Sequence, residues 1–513
     1  MHLADHGVRE HPLVFPNPLA KALDLSPLKV CLVSAEVTPF AKTGGLGDVT
    51  AALARHLHRL GVDVRLFFPF YSITDTGPFE LLADDSLRHV PVRFGERELV
   101  FSVFDARLPR TDLDVHLIHA PDLYHRPGIY TNDVDEHLRF AFLSRAAIES
   151  CQRLDWSPDI FHCNDWHTGL LPLYLKSHYA WDDLFTDSRT VLTIHNVGYQ
   201  GVFPASAVEG LELGDQASLL DEEDLEAGRL NFLKTGILHA DLLTTVSPTH
   251  AKEIQTAEYG CGLDRQLRAR SDDLVGVLNG VEYEEWDPVD DPLIPFAYSR
   301  RELAGKEKNK QALLDELSLP ADSQAPVVGV VSRLAEQKGF GLFPEVLPEL
   351  LAARDLHLVV LGTGEERYEE FFRELESRDP MKVSFTNTFD NALAHRIEAG
   401  SDLFLMPSLY EPCGLNQMYS LRYGTVPVVR KVGGLADSVI QYDAETGNGT
   451  GFLFEEFSAA ALRRALEAAL DLYPNPERWQ QLMRNGMAKD FSWDRQIRKY
   501  VDLYRRRGAD EAK

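Results

Sequence analysis

Five short clusters in this 513-residue chain put charged or polar side chains beside glycines, or at the ends of apolar runs. Lys42-Thr-Gly-Gly-Leu-Gly-Asp48 lies between an apolar run and a helical pattern. Its glycines allow close backbone approach, the following helix N-terminus favours an anion, and Lys42 supplies a point charge that can reach a phosphate. A structural tight turn with an exposed lysine fits the same letters. "VSRLAEQKG" places Arg333 and Lys338 after an apolar run, where two cations could clamp a diphosphate. "LMPSLYEPCGLNQMYSLRYG" leads through Glu411, Pro412 and Gly414 into a helix, which fits a loop whose N–H groups face a ligand. Glu411 at its lip could accept from sugar hydroxyls, or serve only as a charge at the helix N-terminus. "TIHNVGYQG" ends an apolar run at His195 and Asn196. "FHCNDWHTGLLPLY" offers His162, Cys163, Asp165 and His167, but their spacing matches no helical two-histidine metal motif, so a polar loop at a strand end is the better reading.

Several chemistries lack their signature. The glycine loop is neither Gly-x4-Gly-Lys-Ser/Thr nor Gly-x-Gly-x-x-Gly. There is no Gly-x-Ser-x-Gly elbow, and no spaced carboxylate pair identifies a glycosidase. Acidic residues outnumber basic ones 79 to 52, a formal charge of −27, which opposes a nucleic-acid or anionic-membrane partner but not a neutral polysaccharide. The five cysteines form no Cys-x-x-Cys, which fits a reducing cytoplasm rather than a disulfide framework or zinc knuckle. No segment approaches the roughly 18 apolar residues of a membrane span. Residues 1–27 lack a signal-peptide core and read as a Pro-bearing extension.

The elements that must position these clusters alternate. "LKVCLVSAE", "DVRLFFPF", "LDVHLIHA", "PDIFHCND", "RTVLTIHN" and "ADLLTTVS" read as buried strands, with helical patterns such as "DVTAALARHLHRLG" and "EHLRFAFLSRAAIESC" between several of them. After a crossover at "LVGVLNGVEYEEWDP" and a charged helix, "APVVGVVSRL", "LHLVVLGTG", "KVSFTNTF", "SDLFLMPS" and "TVPVVRKVG" repeat the pattern. Continuous apolar strands alternating with helices predict parallel sheets covered on both faces, hence two doubly wound α/β domains with ligands at the carboxyl ends of the strands. The expected boundaries are 28–274 and 275–490, with a final helix in 491–513 that could return to the first domain. Lys431-Val-Gly-Gly-Leu-Ala-Asp437 partly repeats the first glycine loop, which suggests that both loops face one cleft.

Taken in order, the glycine loop, "HCNDWHTGL", "TIHNVGYQG", "VLNGV", "SRLAEQKG", "EPCGLNQMYSLRYGTVPVV", "GTGFLF" and "FSWDRQIRKY" resemble the bacterial glycogen synthases and plant starch synthases from about Lys29 to Tyr504. The resemblance implies a GT-B fold, with two Rossmann-like domains facing across a deep cleft. It implies glucosyl transfer from ADP-glucose to the non-reducing end of an α-1,4-glucan (glycogen), with retention and with neither metal nor other cofactor. By motif position, Lys42 would contact the donor diphosphate or the nearby glucan, with Gly45 packed against the donor. Asp48 and Asp165 would organise the sugar and acceptor side, and His195, with Asn196 beside it, would meet the glucose 6-hydroxyl. The His195 carbonyl would face the anomeric carbon, and Asn279 would sit at the hinge near the sugar. Arg333 and Lys338 would hold the leaving diphosphate. Glu411 would bind the 3- and 4-hydroxyls, while Cys413, Gly414 and Leu415 present N–H groups. Phe389 would lie against adenine. Asn416 stands where Thr also occurs and could touch the donor. Tyr419 replaces the second glutamate of the wider retaining group, as in the glycogen-synthase branch.

These roles fit the charges of the reaction: positive on the anomeric carbon, negative on the departing diphosphate. Rival readings are a transferase using UDP-glucose or another acceptor, a silent glucan-binding protein, and a phosphorylase, for whose pyridoxal phosphate no distinctive signal stands in the sequence.

Overall fold

The computed structural model describes residues 28–321 and 324–506. The expected N-terminal extension, residues 1–27, lies outside the described residues. The first domain is built on a ten-stranded sheet. Its strands are β1 (Lys29–Val33), β2 (Asp63–Pro69), β3 (Leu81–Ala83), β4 (Val90–Phe94), β5 (Arg97–Arg107), β6 (Asp114–His119), β7 (Ile160–Asn164), β8 (Arg189–Ile194), β11 (Leu242–Thr245) and β12 (Leu274–Gly276); β9 (Val202–Pro204) and β10 (Arg229–Asn231) form a small separate ribbon. The second domain has a six-stranded sheet of β13 (Val327–Val331), β14 (His357–Leu361), β15 (Val383–Thr386), β16 (Leu403–Met406), β17 (Val426–Arg430) and β18 (Phe452–Phe454).

The spatial orders are β12-β11-β8-β7-β1-β2-β6-β5-β3 and β15-β14-β13-β16-β17-β18. From β12 to β6, and throughout the second sheet, every pairing is parallel. The apolar runs form these strands because helices cover both faces, so β1 and β7 are buried almost end to end. The edge departs from the expected all-parallel pattern: β3 and β4 each pair antiparallel with β5, and β5 with β6. β4 alternates buried and exposed residues, the period-two pattern of a sheet with one solvated face.

Strand order reverses between β1 and β7 in the first sheet and between β13 and β16 in the second. At these switch points the loops diverge and leave a crevice at the carboxyl ends of the strands, where ligands of open α/β sheets bind.

The chain passes between the domains twice. The outgoing passage follows β12, and the return precedes the helix Trp493–Arg505, whose Trp493, Ile497, Tyr500, Val501 and Tyr504 join the first domain's core. The passages are hydrogen-bonded to each other, Val281 N–H donating to the Phe491 carbonyl at 2.8 Å. Gly280 is required here, since a Cβ would lie 2.5 Å from Trp493 Cγ.

Candidate functional site

The loop after β1 carries the first cluster. Buried Glu36 accepts from the Thr43 N–H at 2.7 Å, the Gly44 N–H at 3.2 Å, the Thr43 hydroxyl at 2.8 Å and the Tyr130 hydroxyl at 2.5 Å. Two N–H groups that the sequence offers to an anion are therefore spent on an internal carboxylate. Lys42 Nζ lies 2.9 Å from Asp48 Oδ1, which also accepts from Thr38 Oγ1 at 2.7 Å. Gly44 and Gly45 have different surroundings from Gly47. A Cβ on either would meet nothing within 4 Å, whereas one on Gly47 would lie 2.9 Å from Lys42 Cβ. Gly47 is small for packing, while Gly44 and Gly45 leave open space at the mouth of the helix Gly45–Arg59.

The next wall comes from β7 and β8. Asp165 is buried with φ 56° and ψ −173°, a conformation favoured by glycine, which costs a non-glycine residue about 1–3 kcal/mol. Its Oδ1 accepts from the His195 N–H at 2.7 Å and the Asn196 N–H at 3.4 Å. Burial pushes its carboxyl up to about 7 against the opposing effect of those N–H groups. Asp165 thus holds the backbone that presents His195. Asn164 donates to the Val33 carbonyl at 3.1 Å, so its Oδ1 faces His195 Nε2 at 3.0 Å. That orientation makes Nε2–H the donor and leaves Nδ1 as an acceptor. Burial lowers the imidazole to about 3, so it is neutral. The two histidines of the "FHCNDWHTGL" stretch serve the core. His162 sits between Tyr504 Oη and Thr193 Oγ1, at 2.6 Å from each, and His167 stacks on Tyr130. Among the described residues no group of three or more His, Cys, Asp or Glu is arranged to hold a metal ion.

The second domain supplies the opposite wall. Arg333, just past β13, is exposed and has no acceptor among the described residues. Lys338 Nζ lies 2.6 Å from Glu411 Oε2, which also accepts from Ser408 Oγ at 3.2 Å. The two residues that the sequence places in separate clusters are thus one ion pair. Beyond Glu411, the N–H groups of Cys413, Gly414 and Leu415 have no acceptor among the described residues and precede the helix Asn416–Tyr423. The Cys413 thiol is buried and pushed up to about 12, which keeps it protonated. Asn416 is already engaged, its side chain donating to the Val331 carbonyl at 2.8 Å. Tyr419 stacks on Trp286 with centroids 3.9 Å apart, so a residue of the crossover occupies one face of its ring. Phe389 follows β15 and is 82% exposed, its ring available to a flat ligand.

The repeated glycine motif behaves differently here. A Cβ on Gly433 or Gly434 would lie 1.9 Å from the carbonyl of Glu411 or Cys413. These glycines let one loop seat the other. Asp437 accepts from Thr249 of the first domain, and the Gly433 N–H donates to Glu253.

Several residues join the walls. Tyr410 Oη lies beside the Asn196 side chain and Ser247 Oγ donates to the Pro412 carbonyl at 2.7 Å. Asn279, in the outgoing passage, is buried beside the Cys413 thiol, and its Oδ1 has no hydrogen-bond partner among the described residues. Glu36, Asn164, Ser408 and Tyr410 escaped the sequence reading. Only Glu36 carried a signal, a lone carboxylate at the end of the buried run "VCLVSAE".

With this geometry in hand, residues 29–269 match the family model described as starch synthase catalytic domain, and residues 315–485 match glycosyl transferases group 1. The glycogen synthases of Thermosipho africanus and Desulforudis audaxviator are 43% and 44% identical over 480 and 491 residues. Those alignments cover 93% of this chain and 98% and 96% of the relatives. Among solved structures, the catalytic domain of starch synthase IV from Arabidopsis thaliana, bound to ADP and acarbose, superposes with a TM-score of 0.86 at 35% identity, over 93% of this chain and 99% of that one. A sucrose-phosphate synthase from Thermosynechococcus elongatus, at 18% identity and a TM-score of 0.59, shares the fold.

Proposed function

We infer the reaction from family membership: the chain belongs to the glycogen and starch synthases, glycosyltransferases of two Rossmann-like domains in the GT-B arrangement. The reaction is transfer of glucose from ADP-glucose to the non-reducing end of an α-1,4-glucan, with retention. The observation that carries this reading is convergence. Lys42, Asp48, Asp165 and His195 line the switch point of one sheet, and Arg333, Lys338 and Glu411 line that of the other. The starch synthase that superposes on this chain was solved with ADP and acarbose, which supports an adenine nucleotide and a glucan as ligands.

The donor lies with its nucleotide on the second domain, adenine on Phe389 and diphosphate on Arg333 and Lys338. A diphosphate competes for Lys338 and frees Glu411 to accept from the 3- and 4-hydroxyls of the glucose. The N–H groups of Cys413, Gly414 and Leu415 face the donor's oxygens, at a helix N-terminus that favours negative charge. On the other wall, His195 Nδ1 accepts from the 6-hydroxyl, and Gly44 and Gly45 leave room for the sugar. Lys42 exchanges Asp48 for phosphate as the cleft closes.

The bond from the anomeric carbon to the diphosphate oxygen breaks, and ADP departs with the electron pair. Arg333, and Lys338 once the bound donor has drawn it from Glu411, stabilise that charge. Positive charge on the anomeric carbon meets the His195 carbonyl, which Asp165 orients through the adjacent N–H groups. The acceptor hydroxyl attacks the face that ADP leaves, and its proton passes to a leaving-phosphate oxygen. Closure excludes water, which would otherwise hydrolyse the donor. Donor competition tests the reading. With a glycogen primer, ADP release from ADP-glucose should far exceed UDP release from UDP-glucose. A preference for UDP-glucose overturns the donor assignment, and primer binding without elongation overturns the enzyme.

A further inference from the structure

The outgoing passage makes one tight turn, in which the N–H groups of Glu285 and Trp286 donate to the Glu282 carbonyl at 3.0 and 2.9 Å. Side chains of this turn divide between the domains. Glu282 accepts from Arg55 Nη1 through one oxygen and from His56 Nε2 through the other, both at 2.7 Å. Glu284 pairs with Arg59 at 2.9 Å and Glu285 with Arg110 at 3.0 Å. On the second-domain side, Trp286 stacks between His395 and Tyr419, and Arg422 lies over Tyr283 while pairing with Asp287.

Arg55, His56 and Arg59 belong to the helix Gly45–Arg59, which opens on the glycine loop. Asp48 and Arg55 are seven residues apart, about 10 Å along one rigid element. Asp494, in the first turn of the helix that the return passage enters, lies 3.5 Å from His56 Nδ1, and the His56 ring stacks near Trp493. Both passages therefore meet the first domain at one point, and the Glu282 carboxylate there is almost enclosed, with a side chain 13% exposed. The pairs of Glu284 and Glu285 are more open to solvent, where ion pairs are weak.

We propose that Glu282 is a positioning residue for glucosyl transfer: it clamps the crossover turn to the helix that carries the donor-facing loop, and so fixes the pivot about which Arg333, Lys338 and Glu411 close on Lys42 and His195. The proposal rests on the closure step above. Glu282 touches no substrate and acts through the angle between the walls. A reacting pair displaced by about 1 Å loses on the order of 10² in rate, so a loosened pivot is felt in turnover before ligand affinity.

The test uses the full chain carrying Glu282→Gln and Glu282→Ala. Three quantities are read: kcat and KM with glycogen and ADP-glucose, ADP affinity by calorimetry, and the change in radius of gyration on adding ADP by X-ray scattering. In the wild type ADP should contract the molecule. Glu282→Ala should lower kcat about tenfold or more, keep ADP affinity within about twofold, since that wall is intact, and blunt the contraction. Glu282→Gln, which keeps an acceptor oxygen, should fall between and carries the test if the alanine variant does not fold. A wild type that elongates glycogen without contracting refutes closure, and the positioning role with it. A wild type that contracts, with variants that contract equally or keep full kcat, refutes the positioning role alone.

Discussion

Replacing Lys338 by alanine separates what this side chain does for chemistry from what it does for the fold. Its ammonium lies 2.6 Å from Glu411 Oε2, and Glu411 is only 5% exposed. Removing the lysine takes a cation from the leaving diphosphate, a loss comparable to that of a preorganised oxyanion donor, about 10²–10³ in kcat or ~3–4 kcal/mol. It also leaves a buried carboxylate without its counter-ion. Ser408 still donates to the same oxygen, and the lysine is itself about a quarter exposed, so the folding cost sits below that of a fully buried pair, at about 1–3 kcal/mol. For a domain of this size, that lowers its unfolding temperature by roughly 2–12 °C. Initial rates of ADP release with glycogen measure the first loss, and calorimetric unfolding measures the second. The double variant Lys338→Ala/Glu411→Gln should recover most of the unfolding temperature and none of the rate. A Lys338→Ala enzyme with full kcat refutes the leaving-group role. One with an unchanged unfolding temperature refutes the idea that Lys338 secures Glu411.

Arg333→Ala is the complementary case. The side chain has no hydrogen-bond or ion-pair partner among the described residues, so kcat should fall about 10²–10³ while glucan affinity and unfolding temperature stay put; a destabilised variant would show that Arg333 holds the fold. Gly45→Ala should raise the donor KM without lowering the unfolding temperature, because its Cβ meets only open space. Gly434→Ala should cost about 1–3 kcal/mol in stability, because its Cβ strikes the Cys413 carbonyl; equal unfolding temperatures in the two variants would contradict this contrast. Asp165 gives a pH signature. Burial raises its carboxyl to about 7 from the usual 3.8, so between those values the folded state keeps a proton that the unfolded chain has lost. Its stabilising contribution is therefore full below the ordinary carboxylate range and disappears as pH rises through about 7. Asp165→Asn should lack that decline, so its unfolding temperature should gain on the wild type between about pH 4 and 7 and run parallel to it above; curves parallel throughout would refute the raised carboxyl.

Much of the site was legible because strand ends are legible. Apolar runs such as "KVCLV" and "VVGVV" end where polar letters begin, and a doubly wound sheet places those ends at one edge, so Lys42, Asp165, His195, Arg333 and Glu411 could be grouped before any coordinate was known. The antiparallel strands β3, β4 and β5 were not legible: β3 and β4 are short, and β5, though eleven residues long, is mixed in burial with no continuous apolar run. Nor could identical letters reveal different work. Gly-Gly-Leu at 44–46 leaves space beside the donor wall, whereas Gly-Gly-Leu at 433–435 packs one loop onto another, and the difference lies in what stands opposite each Cβ.

The sequence by itself determined the two α/β domains, the loops that carry the chemistry and the family resemblance, because periodicity and motif order are properties of neighbours along the chain. Only the tertiary structure decided how those side chains are spent. Glu36 takes the N–H groups of the glycine loop, Asp48 takes Lys42, Glu411 takes Lys338, and Asp165 Oδ1 takes the N–H groups of His195 and Asn196. Each pairing except Lys42–Asp48 joins segments that different loops bring together, or turns on burial. A charge selects its partner by distance and desolvation, and neither is written in the order of residues.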